Sequence, residues 1–505
     1  MIKNAFYGCL FILVSGCATQ KNGTLSEPHR PQFHFTPKTG WMNDPNGMVY
    51  FEGEYHLFYQ YYPDSTVWGP MHWGHAVSKD MVRWQDLPIA LYPDKLGYVF
   101  SGSAVVDAQN TSGFGEGKEQ PLVAIYTYHD MAGEKSGRTD YQSQAIAYSF
   151  DKGRTWTKYP YNPVLKNQGA KDFRDPKVAW FEPSKQWIMT LAVADHVEFY
   201  ASKNLINWSK MGEFGKNDGN HGGVWECPDL FPLATEDGTE KWILIVNIGN
   251  GAPNGGSGTQ YFVGQFDGET FKNDNKPDDF LFLDYGRDNY AGVTWSNAPD
   301  NRRILIGWMS NWNYAQVVPT KKWRSAMTLP RELALKTTGK GVRLVQKVVK
   351  EAAILRGPSQ TIAAQNISKN TPLKSKGKCH ELALTFDLSK TTSIDLGVVL
   401  SNSKGENIRI GYEKTTNSFF IDRTNSGKMD FEKGFTGRHS APRFTKNKLL
   451  KMTLYMDVSS VELVADDGET VMTDIFFPTE DFNQIALFSN NGSANLTGGQ
   501  LWKLR

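Results

Sequence analysis

Apolar and polar residues alternate in short runs along most of the chain, and clusters of Asn, Asp, Gly and Ser separate the runs. That period of two, punctuated by turn residues, predicts short β-strands joined by tight loops. From about residue 41 to residue 333 the runs recur as units. Residues 78–84, 149–156, 202–208 and 266–271 share one form: a strand closes, the chain turns on Asp or Asn, and an aromatic residue opens the next strand. The aromatics, Trp84, Trp156, Trp208 and Phe271, stand 72, 52 and 63 residues apart, which suits one four-stranded propeller blade per unit.

The first unit predicts strands over 48–51, 55–61, 74–78 and 84–91, and the third over 177–181, 187–192, 198–202 and from 208. The fourth predicts 230–231, 242–248, 260–266 and from 271; a second unit fits 102–159, and a fifth runs from 292 to about 333. The expected fold is all-β, with a five-bladed β-propeller over residues 31–335. A basic stretch, 336–352, is expected to act as a linker. Beyond it, alternating runs over 381–388, 393–400, 408–412, 418–423, 449–458, 461–464 and 484–488 predict a β-sandwich occupying 353–505.

Composition narrows the function classes. A chain of 505 residues needs more than one ordinary domain, and a formal charge of +2 with 21% charged residues gives a polyanion nothing to bind, so nucleic acid is excluded as a partner. Residues 1–17 carry Lys3 near the start, continue as an apolar run too short to span a bilayer, and end Val14-Ser15-Gly16-Cys17. This reads as an export signal resembling a bacterial lipobox, with Cys17 the lipid-bearing residue and 18–30 a polar tether. The expected location is a membrane-anchored lipoprotein, periplasmic or on the cell surface, with the periplasm preferred because the tether has no acidic run. Of the four cysteines, Cys9 and Cys17 fall in the signal, leaving Cys227 and Cys379 too isolated for a disulfide framework. No Cys–His signature makes Cys227 a nucleophile, so it is expected to be a small buried neighbour of the site.

The candidate chemistry lies in three acids. Asp44-Pro45, Asp175-Pro176 and Glu226-Cys227-Pro228 each precede the strand that should open a blade and line the central channel. Equivalent blade positions meet at one mouth of that channel, although the acids are 131 and 51 residues apart. Two carboxyl groups across a pocket can cleave a glycosidic bond, and a third can offset charge in an oxocarbenium-like transition state. Trp41, Trp68, Trp73, Phe100 and Trp308 fall near the same blade starts and offer flat faces for sugar rings. His72 and His75 suggest zinc, but no further ligands join them, and no metal is expected.

These residues carry a resemblance to glycoside hydrolase family 32, the invertase, inulinase and levanase group, nearest its bacterial levanase-type exo-fructosidases. The matching runs are 41–47, 59–60, 68–75, 100–103, 173–176 and 225–228, followed by 307–308, 323–325 and 330–333. The resemblance implies a retaining mechanism without cofactor, on a five-bladed propeller with a C-terminal sandwich. It implies Asp44 as nucleophile, Glu226 as acid/base with a raised pKa, and Asp175 as transition-state stabiliser. It further implies that Trp41, Asn43, Gln60, Trp68, Phe100, Ser101, Arg174 and Trp308 form the fructose pocket. The implied activity is release of terminal fructose from levan, inulin and sucrose. An endo-acting levanase and a catalytically silent fructan-binding lipoprotein are the alternatives. The first would need an open cleft; the second would fit a chain lacking one of the acids. Oligomeric state and preference for β-2,6 or β-2,1 linkages are not legible.

Overall fold

The structure, a computed structural model, describes residues 26–117, 120–374 and 377–505. Residues 1–17, expected to be an export signal ending at Cys17, and residues 18–25 of the expected tether lie outside the described residues. The remainder is a β-propeller followed by a β-sandwich. Five sheets follow one another in the chain, opened by the strands Gly40–Phe51, Tyr98–Val106, Phe173–Phe181, Trp225–Ala234 and Tyr290–Thr294. Each opening strand touches the next, and the last touches the first, so the five enclose one axis. Within each sheet successive strands pair antiparallel. Trp323–Arg324 adds a short parallel strand to Gly40–Phe51, fastening the last sheet to the first.

The apolar face of each strand packs between neighbouring sheets. Trp41, Met42, Met48, Trp295 and Trp308 share one cluster across the seam between the first and fifth sheets. Phe199, Trp225, Leu244 and Phe271 join the third to the fourth. Burying aromatics of this size supplies on the order of 2–3 kcal/mol each, which suits an architecture held by interleaved faces instead of one central core.

Two expectations about boundaries are corrected. Residues 336–352 are not a bridge: Arg331–Thr338 and Gly341–Val348 form a hairpin that completes the fifth sheet, and a 3-10 turn over Lys350–Leu355 follows. The alternation continues past residue 333, but its Lys and Arg residues disguise an outer strand as a basic connector. Residues 29 and 30, assigned to the tether, are buried. Arg30 is buried, donates to the carbonyls of Pro37 and Lys38, and lies over the Trp323 ring.

The sandwich comprises a seven-stranded and a six-stranded sheet around a core of Leu382, Phe386, Val398, Ile410, Leu454 and Leu487. A buried ionic network fastens it to the propeller. Arg331 bonds Asp284, Glu462 and Thr473, while His34 lies between Asp457 and Glu462 at 2.8 Å from each. Burial alone would lower the His34 pKa, but the two facing carboxylates raise it to about 9.

Candidate active site

The three acids lie within the opening strands, near their N-terminal ends, and not in turns ahead of them. The ladder slips at each: between Asn43 and Pro45, opposite Arg174 to Lys177, and between Glu226 and Asp229. Pro45, Pro176 and Pro228 have no N–H to give a ladder, so β-bulges are where a strand accommodates them. The bulge re-aims the preceding carboxylate towards the axis. Asp175 and Cys227 take φ of 64° and 44°, a left-handed conformation that non-glycine residues adopt at a cost, as functional sites often require.

Asp44 is buried, and each of its oxygens is occupied. The Trp41 indole N–H donates to Asn43 Oδ1 at 2.6 Å, and Asn43 Nδ2 donates to Asp44 Oδ1 at 2.9 Å. Ser101 Oγ donates to Asp44 Oδ2 at 3.1 Å. Burial, and then the charge of Glu226, raise the Asp44 pKa to about 6, while Asn43 and Ser101 oppose the rise. Asp175 accepts the Cys227 backbone N–H at 3.0 Å and is raised to about 7, chiefly by burial, with Arg174 opposing and the other two acids adding to it. The Cys227 thiol lies 3.6 Å from both Asp44 Oδ2 and Asp175 Oδ2, so the two carboxylates flank one sulfur. Burial among these acids pushes the thiol pKa far up, which keeps it a neutral neighbour and not a thiolate.

Glu226 is the most open of the three, with 18% of its side chain exposed against 5% for Asp175. Arg174 donates to Glu226 Oε1 from Nη2 at 2.9 Å and to Asp172 from Nη1 at 2.7 Å, and the Tyr290 hydroxyl donates to Glu226 Oε2. Three carboxyl groups from three sheets therefore meet around one thiol and one guanidinium. One is relatively accessible and tethered; two are enclosed and held at raised pKa.

The other expected pocket residues divide. Gln60 lies opposite Asn43 in the register and is 2% exposed, and its Nε2 has no partner among the described residues, a donor left for a ligand. Trp68 and Phe100 are half-buried and meet edge to face at 6.0 Å. Trp41 and Trp308 are a correction, because both are fully enclosed. Trp308 donates to the Met42 carbonyl at 3.1 Å, and Trp312 stacks on Trp41, so the pair brace the strand of Asp44 from behind. His72 and His75 do not converge: one bonds the Pro70 carbonyl and the other pairs with His56. Cys227 and Cys379 are free thiols. Tyr290 was not foreseen. It opens the fifth strand at the position the acids hold in the others, and a unit drawn from 290 and not 292 would have placed it at the channel mouth.

A propeller whose channel mouth presents paired carboxyl groups within reach of one another is the site of a glycoside hydrolase. The model for the glycosyl hydrolases family 32 N-terminal domain matches residues 34–348, and that for the family's C-terminal domain matches 351–503. The chain belongs to that family. It is 50% identical over 478 residues to a levanase of Bacillus subtilis, covering 93% of this chain and 69% of the relative. It is 38% identical to an extracellular exo-inulinase of Aspergillus awamori, covering 95% of each. The crystal structure of exo-inulinase from Aspergillus awamori superposes with a TM-score of 0.87 at 35% identity, covering 95% of this chain and 99% of that one. A fructofuranosidase from Schwanniomyces occidentalis complexed with fructose gives 0.85 at 34%, covering 94% and 98%.

Proposed function

We propose that the protein is a retaining exo-β-fructosidase that removes terminal fructosyl units from levan and inulin, and cleaves sucrose by the same chemistry. The observation that carries this reading is the meeting of Asp44, Asp175 and Glu226 at one mouth, with the accessible acid held by Arg174 and Tyr290. The family and its levanase and exo-inulinase relatives support the substrate class.

In this mechanism Asp44 Oδ attacks C2 of the terminal fructosyl unit. The C2–O glycosidic bond breaks, and Glu226 gives its proton to the departing oxygen. Water then attacks C2 of the Asp44 ester, Glu226 takes a proton from that water, and the C2–Oδ bond breaks to release fructose with its configuration retained. Asp175 accepts hydroxyls of the fructosyl ring and offsets positive charge as it develops, within a site dry enough to strengthen that interaction. Asn43 and Ser101 hold the nucleophile, and the free Gln60 Nε2 meets a ring hydroxyl.

The presence of all three acids leaves a silent capture protein without support. Chromatography of early products from levan, inulin and sucrose tests the reading: fructose alone from the outset is expected from the two polymers, whereas early oligosaccharides would make the enzyme endo-acting. No product from any of the three would remove the hydrolase reading.

We further propose export with Cys17 as the lipid-bearing residue, on the pattern of residues 1–17. Cys17→Ser should release the protein from the membrane fraction; retention of that variant would refute the anchor.

A further inference from the structure

The second sheet opens without an acid, yet its first strand slips as the others do. Two residues, Phe100 and Ser101, stand against the single Thr127 between the pairs Val99–Tyr128 and Gly102–Tyr126. This is a bulge of the kind that turns the three acids inward. Ser101 reaches Asp44 from it at 3.1 Å, and the Phe100 carbonyl accepts the Trp73 indole N–H at 2.9 Å. The backbone of Phe100 is therefore fixed beside the nucleophile. Its half-buried ring needs a separate hold, and Trp68 meets it only edge on, at 6.0 Å.

A buried histidine covers one face of that ring. His129 lies parallel to Phe100, with ring centroids 4.3 Å apart and planes within 9° of each other. It closes the second strand of the same sheet, opposite Tyr98, and is 3% exposed. Gln142 Nε2 donates to its Nδ1 at 3.1 Å, and Tyr141 packs edge to face on it at 5.4 Å, so the imidazole is not free to turn. A one-turn helix over Met131–Lys135, capped by Asp130, brings Glu134 Oε2 to 3.1 Å from Nε2, off the line of a hydrogen bond. Burial lowers the His129 pKa, with Glu134 opposing, and a neutral ring keeps Nδ1 an acceptor for Gln142.

We infer that His129 is a positioning residue for the sugar pocket: it fixes the plane of Phe100, and the terminal fructosyl ring rests against the face of Phe100 that His129 leaves open. This deepens the exo-fructosidase reading and rests on it. Without the imidazole the Phe100 side chain can enter another rotamer well, and the sugar loses a wall that Gln142 and Tyr141 hold through His129. Every substrate presents the same terminal unit to that wall, whatever is attached to it. The unit also meets the wall before the bond breaks as well as during cleavage, so the contact belongs to uniform binding and is expressed in KM.

The test compares His129→Ala, His129→Phe and His129→Asn, each alone and combined with Phe100→Ala, on sucrose, levan and inulin. His129→Phe keeps a flat ring on Phe100 and drops the bond to Gln142; His129→Asn does the reverse. His129→Ala should raise KM about fivefold on all three substrates alike, the share of binding an aromatic pair supplies, with kcat held within about twofold. His129→Phe should bring KM back to within about twofold of the parent, and His129→Asn should not. Combined with Phe100→Ala, His129→Ala should add nothing, because its route to the sugar is already gone. Additive losses in that pair would overturn the inference, as would rescue by His129→Asn in place of His129→Phe, or a lowered thermal midpoint with kinetics unmoved. If His129→Ala does not fold, the contrast of His129→Phe with His129→Asn decides between the stack and the hydrogen bond. A parent that cleaves none of the substrates would instead overturn the function on which the inference rests.

Discussion

Removing the Ser101 hydroxyl should move the acidic limb of the pH–rate profile upward. Asp44 must be ionised to attack, and its pKa of about 6 reflects burial and the charge of Glu226 working against hydrogen bonds from Asn43 and Ser101. Ser101→Ala deletes one donor to the carboxylate and none to the neutral acid, so the charged form loses stabilisation and the pKa rises. A hydrogen bond to a charged group contributes about 1.5–3 kcal/mol, and one pKa unit corresponds to about 1.4 kcal/mol. At 3.1 Å this bond is long for a hydroxyl on a carboxylate, which selects the lower end of that range. The acidic limb should therefore shift by about one unit, from near 6 to near 7. The assay is kcat/KM for sucrose between about pH 4 and 9, because that parameter reports ionisations of the free enzyme. Parent and variant should converge at alkaline pH and separate by about tenfold on the acid side. A limb that stays in place, moves down, or gives way to a uniform loss at every pH would refute the reasoning.

Three further predictions concern stability. The Asp44 pKa is raised from 3.8 to about 6, so the folded state binds more protons than the unfolded one between those values and stability falls as pH rises through that window. Asp44→Asn should then stabilise the fold at pH 7, by up to about 3 kcal/mol, with the gain fading towards pH 4 in urea titrations. His34 has the same sign at higher pH: its pKa rises from 6.5 to about 9, so its contribution is complete below 6.5 and lost as pH climbs through 9. Thermal midpoints should drop between about pH 6.5 and 9 in the parent, and His34→Gln should flatten that drop. Arg331→Met leaves Asp284 and Glu462 buried with their shared cation removed, which should cost about 3–5 kcal/mol and show as early loss of the propeller–sandwich junction in limited proteolysis.

Much of the fold was legible because the repeat punctuates itself. Asp and Asn turns followed by Trp84, Trp156 and Trp208 mark where one strand hands over to the next, and strands of period two are hard to mistake when turn residues bound them. The outer hairpin of the fifth sheet was not legible. Lys347 is exposed, while Lys336 and Arg343 are charged but paired with Glu469 and Asp279, so the sequence there reads as a connector although its backbone is paired. The acids were found from their prolines, but the local geometry was misread: a proline at the start of a run suggests a turn ahead of a strand, and only the register reveals a bulge inside one. Trp41 and Trp308 were placed in the pocket because aromatics suit sugars, and sequence alone does not separate an aromatic that faces a ligand from one that braces the strand beneath it. Tyr290 was missed for want of a neighbouring proline. The contacts of His34 with Asp457 and Glu462, and of Arg331 with Glu462, span more than 130 residues and carry no local signature.

The assignment of Asp44 as the nucleophile and Glu226 as the acid/base is tested most directly by trapping the intermediate. Glu226→Gln cannot activate water, yet an activated aryl β-fructofuranoside needs little help to leave, so the fructosyl–enzyme should accumulate. Mass spectrometry of a protease digest should find one fructosyl unit on the peptide that contains Asp44 and none when Asp44→Asn is added. A label on another carboxylate, or full turnover by Glu226→Gln with inverted product, would contradict the account.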